Sequence, residues 1–192
     1  MTPNNNDNDN DGPMVDIIIS GIGGKLLFDG PLKLDPTLDN QTICQDAVRT
    51  ILTAAREVAA SSSSSEASSS SGAGNDGNKP TLIVLNTTGI SDKRDLPFAM
   101  MPLYYWMLKV PHEDKKVMEA LIRDEMAKPI EGRGVGGYAI VRPSLLTEGE
   151  GDGLEKVRVG GEEDPAVGYV IAREDVGAAF FLLSQENVRR SP

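Results

Sequence analysis

Apolar residues fall along this chain in two rhythms. Between positions 42 and 59, Ile43, Ala47, Val48, Ile51, Leu52, Ala55, Val58 and Ala59 recur at three- and four-residue spacing, which predicts a helix with one apolar stripe covering a sheet face. Asp39 and Asn40 just upstream offer cap chemistry. A second helix, starting near Asp114, repeats Val117, Met118, Leu121 and Ile122, carries acids in its first turn and must end before Pro129. Three runs are continuous instead: Val15-Asp16-Ile17-Ile18-Ile19, then 82–85, then 139–141. They read as strands buried on both faces. A short strand at 169–172 and a short helix at 175–183 follow. The order β–α–β–α–β–(β)–α predicts an α/β fold with right-handed crossovers and a parallel sheet.

The residues that follow these strands are small or polar. They are Ser20-Gly21-Ile22-Gly23-Gly24-Lys25, Asn86-Thr87-Thr88-Gly89 and Arg142-Pro143-Ser144. Any strand exit needs turn residues, but open parallel sheets bind ligands in the crevice beyond their C-terminal strand ends. Two such exits around one helix therefore point to a site. The glycine loop does not match a phosphate motif, because Leu26 stands where a dinucleotide fingerprint needs glycine. A P-loop would need glycine at Ile19 and Ser or Thr after Lys25. Close passage of a cofactor along the backbone of this loop is the expectation. His112 and Lys116 stand four apart, as do Lys115 and Glu119. The second spacing reads as an exposed ion pair, with Lys115 or Lys116 available for ribose hydroxyls and His112 for proton chemistry.

Composition limits the rest. The leader 1–13 is almost wholly Asn, Asp, Gly and Pro, and from Ser61 nine of eleven residues are serine. Residues 1–13 and 60–79 are expected to be disordered, the latter as an insertion within a single domain spanning 14–185, with a tail at 186–192. A net charge of −10 argues against nucleic acid as a partner. One cysteine, Cys44, excludes an intrachain disulfide, and with one histidine it cannot build a structural zinc site. No apolar run reaches membrane-spanning length, so a soluble, cytoplasmic protein is expected. The Met- and aromatic-rich segment 96–108 reads as a core lid or an oligomer surface, and the acidic, glycine-rich stretch 149–163 as a surface loop.

The succession of a strand ending in TTG, the helix HEDKKVME, a strand running into VRPSLL, and a late REDV before a final helix resembles the atypical short-chain dehydrogenase/reductases. These are NAD(P)-binding proteins similar to NmrA and to biliverdin reductase B. The resemblance spans roughly residues 15–183. It implies a Rossmann-like parallel sheet with flanking helices, and hydride transfer from NAD(P)H to a small carbonyl or conjugated substrate. It places Ser20, Gly21 and Gly23 near the cofactor, Thr87, Thr88 and Gly89 by the nicotinamide, and Lys115 as the family's cofactor-binding helix lysine. Arg142, Pro143, Ser144 and Leu145 would flank the nicotinamide amide, and Thr87, Lys115 and His112 would stand nearest the chemistry.

The sequence departs from that pattern in two places. The Tyr-x-x-x-Lys of typical members is absent, since Pro111 and His112 stand four before Lys115 and Lys116. The first βαβαβ part of the family, with its glycine-rich phosphate loop, also has no counterpart, as in an N-terminally truncated member. Weak or absent NAD(P) binding by this chain alone follows as an expectation, as does an exposed apolar edge at 15–19. That edge, or 96–108, would then support a homo- or hetero-oligomer. A non-catalytic NmrA-like dinucleotide-sensing or protein-interaction module is the alternative.

Overall fold

The computed structural model describes residues 15–27, 36–65 and 79–190. The expected leader, and positions 66–78 of the serine-rich segment, lie outside the described residues.

The fold is built around β4 (Thr81–Leu85), which lies between β1 (Ile17–Ser20) and β5 (Gly137–Val141) in a parallel sheet of order β1-β4-β5. Ile17 pairs with Thr81 and Ser20 with Val84, while Thr81 pairs with Gly137 and Leu85 with Val141. Strand alternation sends Leu82 and Val84 to one face and Ile83 to the other. Both faces are covered, so all three residues are buried and the strand reads as an uninterrupted apolar run.

Helices α1 (Ile43–Ser65) and α3 (Lys109–Ala127) cover the first face. Both crossovers step the same way across the sheet, so equal handedness puts both helices on one side. Cys44, Val48 and Leu52 of α1 meet Met118 and Ile122 of α3 over Leu82 and Val84. The other face is packed by α4 (Arg173–Arg190), whose Val176 and Phe180 meet Ile83. This is a three-layer α/β arrangement, as the apolar rhythms predict.

Several boundaries differ from the sequence reading. α1 continues through Ser65, past the expected stop near residue 59. There Ser61 Oγ donates to the carbonyls of Glu57 and Val58, so the first serines extend the helix. α3 starts at Lys109, with Pro111 in its first turn, where no intrahelical N–H bond is lost. The aromatic segment forms a 3-10 turn (Phe98–Met100) and α2 (Met101–Met107). Four short strands were not all foreseen: β2 (Leu26–Leu27) pairs antiparallel with β3 (Thr37–Leu38), and β6 (Leu145–Thr147) pairs parallel with β7 (Val170–Ala172). α4 runs on to Arg190, through most of the expected tail.

The sheet has an edge at β1, where Ile19 is half exposed. An apolar strand edge of this kind is the feature expected at 15–19.

Candidate functional site

The C-terminal ends of β1, β4 and β5 lie side by side, and main-chain bonds tie the last two together. Asn86 N–H donates to Val141 O at 2.7 Å and Thr88 N–H to Pro143 O at 3.2 Å. The structure therefore brings Thr87, Thr88 and Gly89 against Arg142, Pro143 and Ser144. Ser20 ends β1 one strand over, in register with Val84. Leu145 has instead entered β6, and its side chain is exposed.

Beneath these exits, α3 presents alternating acids and bases to the sheet. Asp114 is buried, and its carboxylate accepts the N–H groups of Cys44 and Gln45 at 2.8 and 3.0 Å. It thus caps α1 from another helix, using two of the donors that a helix start leaves free. Lys115, the next residue, donates from Nζ to Leu85 O at 3.0 Å, at the last residue of β4. Burial lowers its pKa, while Cys44, Asp114 and Glu119 pull in the opposite direction. The exposed Lys115–Glu119 pair suggested by the spacing is not what forms. The Cys44 thiol is pushed up to about 11, chiefly by burial, and its Sγ contacts Ile22 O, so it remains a packed thiol.

Glu119 holds the two exits together. Arg142 meets it in a fork, Nε to Oε1 at 2.8 Å and Nη2 to Oε2 at 2.7 Å, and Asn86 Nδ2 donates to the same Oε1 at 2.5 Å. Hydrogen bonding to Glu119 is the main reason that the guanidinium pKa is raised. Arg142 is thus engaged by carboxylates and serves as a strut.

On the other side of β4's exit, Gly89 adopts φ +88° and is enclosed by α2 and α3. A Cβ there would lie 2.8 Å from Leu96 Cδ1 and 3.0 Å from His112 Cε1. Asp95 Oδ1 accepts the Gly89 N–H at 2.9 Å. Among the described residues around this turn, Asp95 Oδ2 and His112 Nε2 are buried polar atoms without a protein partner, while the buried Thr88 hydroxyl faces the Tyr104 phenol. Burial, then Lys116 and Lys115, lowers the His112 pKa to about 4, so the ring is neutral near pH 7. Tyr104 is buried beside it with ring centroids 6.0 Å apart, and burial raises its phenol pKa.

A dinucleotide can be tested against these residues in two halves. On the nicotinamide side they fit: a Cβ at Gly21 or Gly23 would meet nothing within 4 Å, which leaves the backbone open to close approach. On the phosphate side they do not. The glycine loop runs into β2 and not a helix, and the start of α1 is already closed by Asp114. Among the described residues, no group of three His, Cys, Asp or Glu is placed to hold a metal ion, and no helix is long and apolar enough to cross a membrane.

Sequence reasoning missed Asp114, Glu119, Asp95 and Tyr104 as parts of this site. Asp114 and Cys44 are 70 positions apart, so no local spacing announces their bond.

Two curated proteins resemble the chain. It is 57% identical over 172 residues to the protein named reductase pytE of Aspergillus terreus, and 38% identical over 177 residues to the protein named oxidase pynE of Aspergillus niger. Each alignment covers 88% of this chain but only 60% and 59% of the relative. The chain thus spans about three fifths of the curated relatives it matches. Both names denote redox proteins, which supports an oxidoreductase type. No family model and no solved structure matches.

Proposed function

We propose that this chain forms the nicotinamide side of an NAD(P)-dependent oxidoreductase site resembling the atypical short-chain reductases, acting on a small carbonyl or conjugated substrate. The observation that carries the reading is the 86–89 exit. There the buried Thr88 hydroxyl beside the Tyr104 phenol, a lysine pinned to the strand end and an open glycine loop stand at neighbouring strand exits, where open parallel sheets bind their ligands. The redox names of the two relatives support the reaction class.

The roles follow from the contacts. Ser20, Gly21 and Gly23 offer bare backbone for close approach. Thr87 and Thr88 supply hydroxyls, and Gly89 fixes their orientation through its positive φ. Lys115, held by Leu85 O, presents its charge to ribose hydroxyls and helps position them. Neutral His112 stands behind the exit, where it holds or passes a proton at Nε2. Arg142, Pro143, Ser144 and Leu145 form the facing wall, with Arg142 locked to Glu119. When bound, a reduced nicotinamide would supply hydride. The glycine loop leads into no helix and the start of α1 is closed by Asp114, so affinity for the dinucleotide should be low for this chain alone.

The exposed Phe98, Tyr105 and Trp106 favour a second reading, a non-catalytic dinucleotide-sensing or protein-interaction module that binds a partner there, a second copy or another chain. The β1 edge offers a further surface for the same purpose.

A thermal-shift titration with NADPH and NADH tests the proposal. Millimolar cofactor should stabilise the chain, and Lys115→Met should remove the shift while far-UV circular dichroism stays native. No stabilisation of the wild type at millimolar cofactor would overturn it. Binding without turnover of any carbonyl or enone in a panel would select the second reading.

A further inference from the structure

The acidic loop after β6 folds into a narrow finger. Arg158 Nη2 donates to Val167 O at 2.5 Å across its base, and Gly161 N–H to Asp164 O at 3.1 Å at its tip. Only glycine fits at position 160, where a Cβ would lie 2.2 Å from Ala166 N. The tip therefore presents two adjacent carboxylates, Glu162 and Glu163.

Three cations from three separate elements receive them. Glu162 Oε2 lies 2.8 Å from Arg142 Nη1, at the exit of β5, and Oε1 lies 3.5 Å from Arg123 Nη2 on α3. Glu163 Oε2 lies 3.3 Å from Lys93 Nζ, in the connection after β4. Arg142 is held in place from behind by Glu119, so its remaining Nη1 points outward as a fixed donor. A chain with a net charge of −10 has here gathered three positive groups beside its strand exits. Pairs between exposed side chains such as Lys93 and Glu163 contribute little. Glu163 is thus lightly held, and the tip is anchored chiefly by Glu162 on the fixed Arg142.

We propose that Lys93, Arg123 and Arg142 form a binding site for a small anion bearing two acidic groups, a diphosphate or a dicarboxylate. Glu162 and Glu163 fill this site in the free protein as a built-in stand-in. The match lies in the chemistry: guanidinium and ammonium groups already hold two carboxylates at hydrogen-bonding distance, and a ligand with two acids satisfies the same donors. Binding displaces the finger tip from the β5 exit. This proposal does not depend on the nicotinamide reading: of the three cations only Arg142 borders the Thr87–Gly89 exit, and the probes below contain no nicotinamide.

The test uses inorganic pyrophosphate and succinate as separate probes, with sodium chloride at matched ionic strength as the control. Calorimetry compares the wild type, the Glu162→Gln/Glu163→Gln variant, and that variant carrying Lys93→Gln and Arg123→Gln as well. Emptying the site should tighten binding of at least one probe by roughly tenfold or more over the wild type, and removing the two cations should abolish the gain. A Glu-specific protease should also cut the wild-type tip faster when the probe is present. Preference for pyrophosphate assigns a diphosphate, and preference for succinate a dicarboxylate. Equal affinity in the wild type and the Glu162→Gln/Glu163→Gln variant, or a gain that survives loss of Lys93 and Arg123, overturns the proposal. So does cleavage of the tip that ignores both probes.

Discussion

Replacing Asp114 with alanine removes a cap that α1 receives from α3. The carboxylate accepts the Cys44 and Gln45 N–H groups at 2.8 and 3.0 Å in a buried setting. Loss of a helix cap costs about 0.5–2 kcal/mol, and a buried hydrogen bond to a charged group about 1.5–3 kcal/mol. One carboxylate serves both donors, so the two estimates overlap, and a loss of about 3 kcal/mol is expected for Asp114→Ala. Asp114→Asn keeps the shape and one acceptor oxygen but turns an amide N–H₂ toward a donor, so about 2 kcal/mol is expected. Urea unfolding followed by circular dichroism measures both, with the midpoint moving and the slope unchanged. Glu113→Ala, at an exposed neighbour, should move the midpoint very little. If Asp114→Ala cost no more than Glu113→Ala, the inter-helix cap would be refuted. The same change removes a negative charge that raises the Lys115 pKa, so Lys115 should titrate lower in the variant.

Three further outcomes follow from the site. The His112 pKa is about 4 when folded against an ordinary 6.5, so the unfolded chain binds the proton first, and stability falls as pH drops from about 6.5 to about 4. The loss is on the order of 2–3 kcal/mol, and denaturant titrations at several pH values should show a flatter profile for His112→Gln than for the wild type. Gly89→Ala forces a side chain onto φ +88° and a Cβ to 2.8 Å from Leu96 Cδ1. It should cost about 1–3 kcal/mol by thermal unfolding, with the near-ultraviolet signal of Tyr104 altered. Glu119→Gln leaves Arg142 largely buried without its forked partner, and should cost about 3–5 kcal/mol by urea unfolding.

The sheet and its two large helices were legible in the sequence because burial imposes period. β4 and β5 are continuous apolar runs, and α1 and α3 carry stripes that meet in one core. The strand exits were legible for the same reason, since the place where an apolar run stops is where the sheet ends. Other features had no local signal. α2 lies in a segment where nearly every residue is apolar, so no period separates its buried Tyr104 from the exposed Tyr105 and Trp106. The serines after Ala60 suggested disorder from composition, yet the helix runs on to Ser65, and Ser61 bonds back to helix carbonyls. Lys115 and Glu119 show most clearly where spacing misleads. Four residues apart fits an exposed pair, but both turn inward, one to Leu85 O and the other to Arg142. The Asp114 cap and the Arg142 fork join residues far apart in the chain, and only the fold brings them together.

The central claim is that the exits of β1 and β4 receive a nicotinamide. Amide chemical-shift mapping with reduced nicotinamide mononucleotide, and separately with AMP, tests it most directly on the isotope-labelled chain. The account predicts saturable shifts from the reduced mononucleotide at Ser20, Gly21, Gly23, Thr87, Thr88 and Gly89, with AMP leaving them unmoved. Shifts from AMP at these amides, or none from the mononucleotide, would contradict it.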